Sequence, residues 1–287
     1  MEKILPIGEY IEEGINSLEQ NLSFLWRAID DGISWAVENL NDLFLSIPFI
    51  GLLLLIAIAA YYAKAGKKSF TKAGFKNAYG LTVFVILGLL LIYAMGYWEE
   101  AIQTTTLVLV STLIALVFGI PFGIWAAKNN TANAIIRPIL DFMQTMPAFV
   151  YLIPAIFFFS VGNTPGVIAT VIFSLPPSVR LTNLGIRNVP GDVIEAGRAF
   201  GANENQILFK IQLPLAMPTI LAGINQVILL ALSMVVIASM VGAKGLGAIV
   251  YQGIQQNDIA KGFESGLGIV VLAMILDRIS QSIGSKK

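Results

Sequence analysis

The chain has 287 residues, 56% of them hydrophobic and 13% charged, with no formal net charge and a mean hydropathy of +0.77. Soluble domains carry about a quarter charged residues, so this composition belongs to an integral membrane protein, and apolar runs of helix length make an all-α, polytopic fold the expectation. Zero net charge gives no bulk field for nucleic acid or acidic substrates. The absence of cysteine and histidine excludes disulfides, thiolate and imidazole chemistry and the commonest zinc ligands, and no metal site is expected.

Residues 1–42 are acidic and amphipathic, with Ile11, Ile15, Leu18, Leu22, Leu25 and Ile29 at helical spacing. They lack the basic start and apolar core of a cleaved signal peptide. Two readings stay open for this extracytoplasmic segment: a helix on the outer interface or against the bundle, and a scaffold for an outside partner. A helix needs about 20 apolar residues to cross a bilayer. Such stretches fall near 43–63, 80–97, 104–127, 139–161, 165–185, 216–240 and 264–282, which makes seven expected spans. The first two fill 43–97 and the other five form a core over 98–282, followed by a short tail, 283–287. Phe142 to Val179 holds no charge and is too long for one span, and "GNTPG", Gly162 to Gly166, turns it into a hairpin.

Basic residues give the direction. The loop with Lys64, Lys67, Lys68, Lys72 and Lys76 is expected in the cytoplasm. Alternation then places Lys128, Arg137, the loop 186–215 and the tail with Lys286 and Lys287 on that side, and leaves Lys3, Arg27, Lys244 and Lys261 outside. The N-terminus is expected outside and the C-terminus inside.

One polar cassette interrupts the apolar runs, "EAGRAFGANENQILFKIQLP" from Glu195 to Pro214. Asp192 reads as an N-cap with Glu195 completing a capping box, and Val193, Ala196, Gly197 and Phe200 share a face. Gly201 reads as a left-handed stop. Asn203 and Gln206 have the spacing of a second capping box, Ile207, Leu208 and Ile211 give the second short helix an apolar side, and Pro214 is expected to end it. Helices this short cannot stand alone. They dock either on a separate cytoplasmic partner, with Phe200 as anchor, or on their own bundle.

The spacing Glu195-Ala196-Gly197, three residues, Gly201, nine residues, Ile211, one residue, Leu213-Pro214 resembles the "EAA" signature of ABC importer permeases. The one departure is Gly197, where the family usually has a second alanine. "ILDFMQTMPAFVYLIPAIFF", "SLPPSVRLTNLGIR" and "LALSMVVIASMVGAKGLG" resemble the permeases for glycine betaine, proline betaine and related quaternary ammonium osmoprotectants, a likeness covering roughly residues 100–282. The resemblance implies a type I importer permease in the cell membrane that forms a homodimer. Each copy's coupling helix would fit a cleft on one of two ATP-hydrolysing subunits. The chain itself would bind no cofactor, ATP and magnesium being used by those subunits, and would be no enzyme. Some relatives carry a substrate-binding domain fused after the permease; with this sequence ending at Lys287, the extracellular binding protein is expected to be a separate chain. Choline and carnitine remain alternative substrates.

The remaining motifs are weaker. "GKKS" at Gly66 to Ser69 lacks the upstream glycine of a P-loop. "GAKGLG", Gly242 to Gly247, lacks dinucleotide spacing and reads as an external turn, which the resemblance makes part of an outer gate. Gly119 and Gly123 form a GxxxG in the third span, read as close packing first and a hinge second. Pro147 and Pro154 interrupt the fourth span and Pro176-Pro177 the fifth; membranes tolerate such breaks where protein or a cavity satisfies the freed carbonyls. Met146, Pro147, Tyr151, Pro154, Pro176 and Pro177 are therefore candidates for the pathway wall, with simple packing kinks as the rival reading. Tyr151, Phe157 to Phe159 and Trp125 can face a quaternary ammonium by cation–π attraction or simply pack. Asp141 and Arg180 either pair or leave Arg180 snorkelling. An ion-driven secondary transporter would need buried midplane acids and usually an inverted repeat, and the spans show neither.

Overall fold

Two X–Pro steps decide where the long helices bend. The computed structural model describes residues 7–66 and 72–284. Lys67 and Lys68 of the lysine loop and Lys286 and Lys287 of the tail lie outside the described residues, as do the side chains of Ile11, Lys72 and Lys76. Helix α1 (Ile7–Asn21) leads into α2 (Ser23–Ser46), and α3 (Phe49–Ala65) departs from α2 at 104°. A second pair, α6 (Asn130–Thr145) and α7 (Ala148–Phe159), is bent by 99°. Both breaks share one cause. A residue before proline is pushed out of the helical region, and Ile47 before Pro48 (ψ 124°) and Met146 before Pro147 (ψ 136°) are both extended.

The fourth expected span, 139–161, is thus two helices meeting at Met146-Pro147. Pro154 does not interrupt anything, because it sits inside α7. Among the described residues, four helices are long and apolar enough to cross a membrane alone: α5 (Trp98–Lys128), α8 (Asn163–Arg187), the continuous helix Glu204–Ser239 and α13 (Ile259–Gly284). Counting each bent pair as one span raises the number to six. The second expected span coincides with α4 (Lys72–Ala94), whose described apolar part, Ala78–Ala94, is shorter.

The amphipathic N-terminal segment packs against the bundle through α2. Ile33 and Val37 are buried in a cluster with Leu107, Val167 and Val171, Ser34 Oγ lies 3.1 Å from Thr164 Oγ1, and Trp26 stacks on Phe158 at 4.4 Å. Helix α8 runs through the centre between α5 and α11 (Leu213–Ser239). Gly119 and Gly123 let α5 and α8 touch: a Cβ at Gly119 would overlap Ser178 Oγ, and one at Gly123 would sit 2.5 Å from Thr182 Cβ and 2.8 Å from Val179 O. Close packing is therefore what this GxxxG does. Helices α3, α4 and α13 share a separate core around Val85, Leu89, Ile92, Leu272 and Ile275.

Candidate functional site

The polar cassette folds as two short helices at the end of α8. Helix α9 (Gly191–Ala199) begins after Pro190, whose φ of −55° and ψ of 133° make it the N-cap, with no side-chain cap bond. The expected Asp192 N-cap is therefore corrected: proline already fixes the entry, so Asp192 falls in the first turn, where a carboxylate favours the helix dipole. Glu195 is one turn in and exposed. The stop at Gly201 is a Schellman motif, with φ +79°, Gly201 N donating to Arg198 O at 2.9 Å and Ala202 N to Gly197 O at 3.0 Å.

Helix α10 (Glu204–Ile207) opens with the capping box read from the sequence: Gln206 N donates to Asn203 Oδ1 and Asn203 N to Gln206 Oε1, both at 2.9 Å. Pro214 does not end this helix. A π-turn at Leu208–Gln212, in which Leu213 N bonds Leu208 O, carries the backbone directly into α11. One widened turn just before Pro214 accommodates the ring that would otherwise clash with the preceding turn. Ile207 and Leu208 are buried, and Leu213 packs with Ile120, Ile124 and Ile186. A Cβ on Gly197 would lie 2.6 Å from Ile211 Cδ1, so the cassette uses that glycine internally. Val193, Ala196 and Phe200 beside it remain exposed, Phe200 by 93%.

Hydrogen bonds tie the cassette to the bundle. Lys128 Nζ at the end of α5 donates to Glu204 O at 3.3 Å, and Glu204 pairs with Arg198 at 3.0 Å. Arg187, the last residue of α8, donates to Ala126 O (2.8 Å), Asn130 Oδ1 (2.9 Å) and Asn183 Oδ1 (2.9 Å), and Asn183 Nδ2 donates to Asn133 Oδ1 (2.7 Å). This brace joins α5, α6 and α8, and the sequence reading missed it. Its signal was available: Arg180, Asn183 and Arg187 recur at helical spacing on one face of α8. Asp141 and Arg180 form an ion pair, which settles their expected alternatives in favour of pairing.

The pathway candidates fall in two places. Pro176 and Pro177 are buried in α8, with Pro177 O facing the α11 residue Gly223. Met146 and Tyr151 belong to a cluster with Leu152, Ala169, Met234 and the partly buried Ile172 and Phe173, and Tyr151 Oη donates to Met146 O at 3.5 Å. Pro147 is exposed at the bend, and Pro154 is partly buried. The aromatic residues do not gather into one cage: Phe158 and Phe159 pack on Trp26, Tyr151 is buried, and Trp125 lies apart on α5. The "GAKGLG" turn is fixed to two helices, with Leu246 N donating to Thr104 Oγ1 in the second turn of α5 (2.8 Å) and Lys244 N to Asn163 Oδ1 at the start of α8 (3.0 Å). It leads into α12 (Leu246–Gln256).

The comparisons with known proteins agree with this arrangement. Residues 119–284 match the family described as the binding-protein-dependent transport system inner membrane component. The chain is 47% identical to the glycine betaine/carnitine transport permease protein GbuB of Listeria monocytogenes, over 98% of this chain and 96% of that one. It is 46% identical to the glycine betaine transport system permease protein OpuAB of Bacillus subtilis, over 99% and 96%. Against the glycine betaine/proline betaine permease protein ProW of Escherichia coli the identity is 43%, over 98% of this chain and 76% of that one. In fold it is similar to a chain of the MetNI methionine ABC transporter in inward-facing conformations, with a TM-score of 0.58 and 23% identity, covering 65% of this chain and 95% of that one. The chain belongs to the inner-membrane permease family of binding-protein-dependent transport systems.

Proposed function

We infer that this chain is the permease subunit of an ATP-driven importer for glycine betaine and related quaternary ammonium solutes in osmoprotection. The observation that carries the substrate class is the near-full-length identity of 43–47% to three permeases whose names all include glycine betaine. As an ABC permease it works with an ATP-binding subunit and a substrate-binding protein, and it performs transport, not chemistry.

In our reading two copies form the pathway, and each presents Glu195, Ala196, Gly197, Phe200, Gly201, Ile211, Leu213 and Pro214 as the segment coupled to one ATP-hydrolysing subunit. That segment lies in the cytoplasm, which puts the N-terminus outside and the C-terminus inside. The exposed Val193, Ala196 and Phe200 face supports this reading, because it is apolar and uncovered among the described residues. Closure of the ATPase dimer draws the two cassettes together. The brace through Lys128 and Arg187 gives that displacement a route into α5, α6 and α8, tilting the bundle toward its outward-open state. Hydrolysis returns it. Met146, Pro147, Tyr151, Pro154, Pro176 and Pro177 are proposed for the wall that the solute passes, since they border the bend in α6–α7 and the proline step in α8.

The test is uptake of labelled glycine betaine by vesicles containing this chain, its ATP-binding subunit and the binding protein, with ATP enclosed or absent. ATP-dependent accumulation is expected. ATP-dependent transport of carnitine or choline but not betaine would move the substrate, and uptake indifferent to ATP would overturn the coupling role.

A further inference from the structure

From Asn129 to Arg187 the chain carries four charges, Arg137, Asp141, Arg180 and Arg187. All four line one cavity of about 360 Å³ between α6 and α8. Arg187 is engaged by three neutral acceptors, the Ala126 carbonyl and the Asn130 and Asn183 side chains. Asp141 and Arg180 pair with each other, yet their side chains stay 55% and 40% exposed. The cavity thus offers one carboxylate and three guanidinium groups to whatever enters it. It lies at the cassette end of the bundle, because Arg187 both closes α8 and lines the cavity, a few residues before α9 begins. Ionisable residues at the membrane margin are costly unless paired or used, and here their placement is concentrated at one spot.

We propose that this cavity is a transient exit site for a zwitterionic solute, with Arg180 receiving its carboxylate and Asp141 its quaternary ammonium group. The inference rests on the betaine reading above and names a specificity site within it. The physical reason is exchange symmetry. At this exposure water shares the solvation of both side chains and the pair's own attraction is modest, so it opens readily, and a zwitterion inserted between Asp141 and Arg180 gives each charge a new partner at once. When the solute leaves, the two side chains close on each other, again with neither charge stranded. Arg137 and Arg187 add positive charge to the same cavity, and guanidinium is suited to bidentate carboxylate binding. A cation without a carboxylate engages Asp141 but displaces Arg180 without offering it a partner, so the site discriminates by the missing second contact.

The permease with its ATP-binding subunit, in nanodiscs of phosphatidylglycerol and without binding protein, would be probed by saturation transfer to the trimethyl protons of glycine betaine and of choline. The lipid supplies no zwitterionic headgroup to compete. Expected are transfer to betaine, several-fold weaker transfer to choline, loss of the betaine signal in Arg180→Gln and Asp141→Asn, and its retention in Arg180→Lys. The proposal is overturned if the native complex gives no betaine signal, if choline matches betaine, or if both neutral variants keep the signal. The choline comparison uses the native chain and so holds even where a variant fails to assemble. Absence of ATP-driven betaine uptake by the full system would instead sink the importer reading. Intact uptake with no saturation transfer would sink only the exit site.

Discussion

Gly201 gives the sharpest test of the cassette because its role is conformational and nothing else. Its φ is +79°, and a Cβ added there meets no atom within 4 Å. A substitution therefore suffers no clash, only the left-handed backbone, which costs a side-chain-bearing residue roughly 1–2 kcal/mol. That is about a 5–30-fold shift against the folded cassette. The order of effect follows from the cause: Gly201→Asn is the mildest, since asparagine visits this region most readily, Gly201→Ala is intermediate, and Gly201→Val is the worst. The assay is ATP-driven betaine uptake in vesicles, alongside membrane insertion and co-purification of the ATP-binding subunit. Insertion should be native in all three variants, while uptake and subunit retention fall in the order Asn, Ala, Val. Equal losses in all three, or native uptake by Gly201→Val, would refute the claim that the Schellman stop positions the coupling face.

Ala196 and Gly197 are neighbours with opposite roles. Ala196→Arg should leave the chain folded but release the ATP-binding subunit on purification, whereas Gly197→Val should disturb the cassette itself, because even its Cβ would approach Ile211 Cδ1 to 2.6 Å. Ile211→Ala should then relieve Gly197→Val and leave Ala196→Arg unrelieved, a coupling readable in a double-mutant cycle. Phe200→Ala should not change the thermal stability of the isolated permease, given 93% exposure, yet weaken ATPase-subunit binding by about 2 kcal/mol if Phe200 is an anchor. Gly123→Leu should abolish the folded permease, measured by size-exclusion profile, since its Cβ alone falls 2.8 Å from Val179 O, a backbone atom that cannot rotate away.

Much of this was legible because it rests on spacing. The Gly201 stop and the Asn203–Gln206 box each depend on residues within one or two turns, and the four-residue spacing of Gly119 and Gly123 is itself local, although the surface they admit, at Ser178 and Thr182, belongs to another helix. The misreadings have a common physical source, the backbone's response to proline. Pro190 took the N-cap position from Asp192 because its fixed φ already ends the extended segment. Pro214 was read as a terminator, yet a π-turn upstream absorbs it. Pro147 splits the fourth span because its effect falls on Met146, while Pro154, Pro176 and Pro177 lie inside continuous helices. A proline's position in the sequence does not say which response it will meet. That depends on whether neighbouring helices hold the segment straight, and α8, clamped by α5 and α11, is held where the α6–α7 corner is not. The Arg187 brace was missed for a related reason: its acceptors are a backbone carbonyl and two amides on other helices, which no local pattern announces.

These observations join into one mechanical argument. A lever must be stiff between the point where force enters and the point where it acts, and must bend only at a chosen place. Here the stiffness comes from small residues: Gly119 and Gly123 set α5 against α8, and Gly223 lets α11 approach Pro177 O, so α8 is closely packed on these two sides. The cassette is continuous with α11 through the π-turn and with α8 through a three-residue link, so its displacement reaches both central helices through the chain itself. One of the two sharp bends falls at Met146-Pro147, where α6 is tied to α8 by Asn133–Asn183 and Asp141–Arg180 on one side of the corner, and α7 packs through Tyr151 on the other. Both α6 and α7 are thus tied to α8, α6 by polar side chains and α7 by apolar packing, and any displacement of one helix relative to the other falls on the extended Met146 between them.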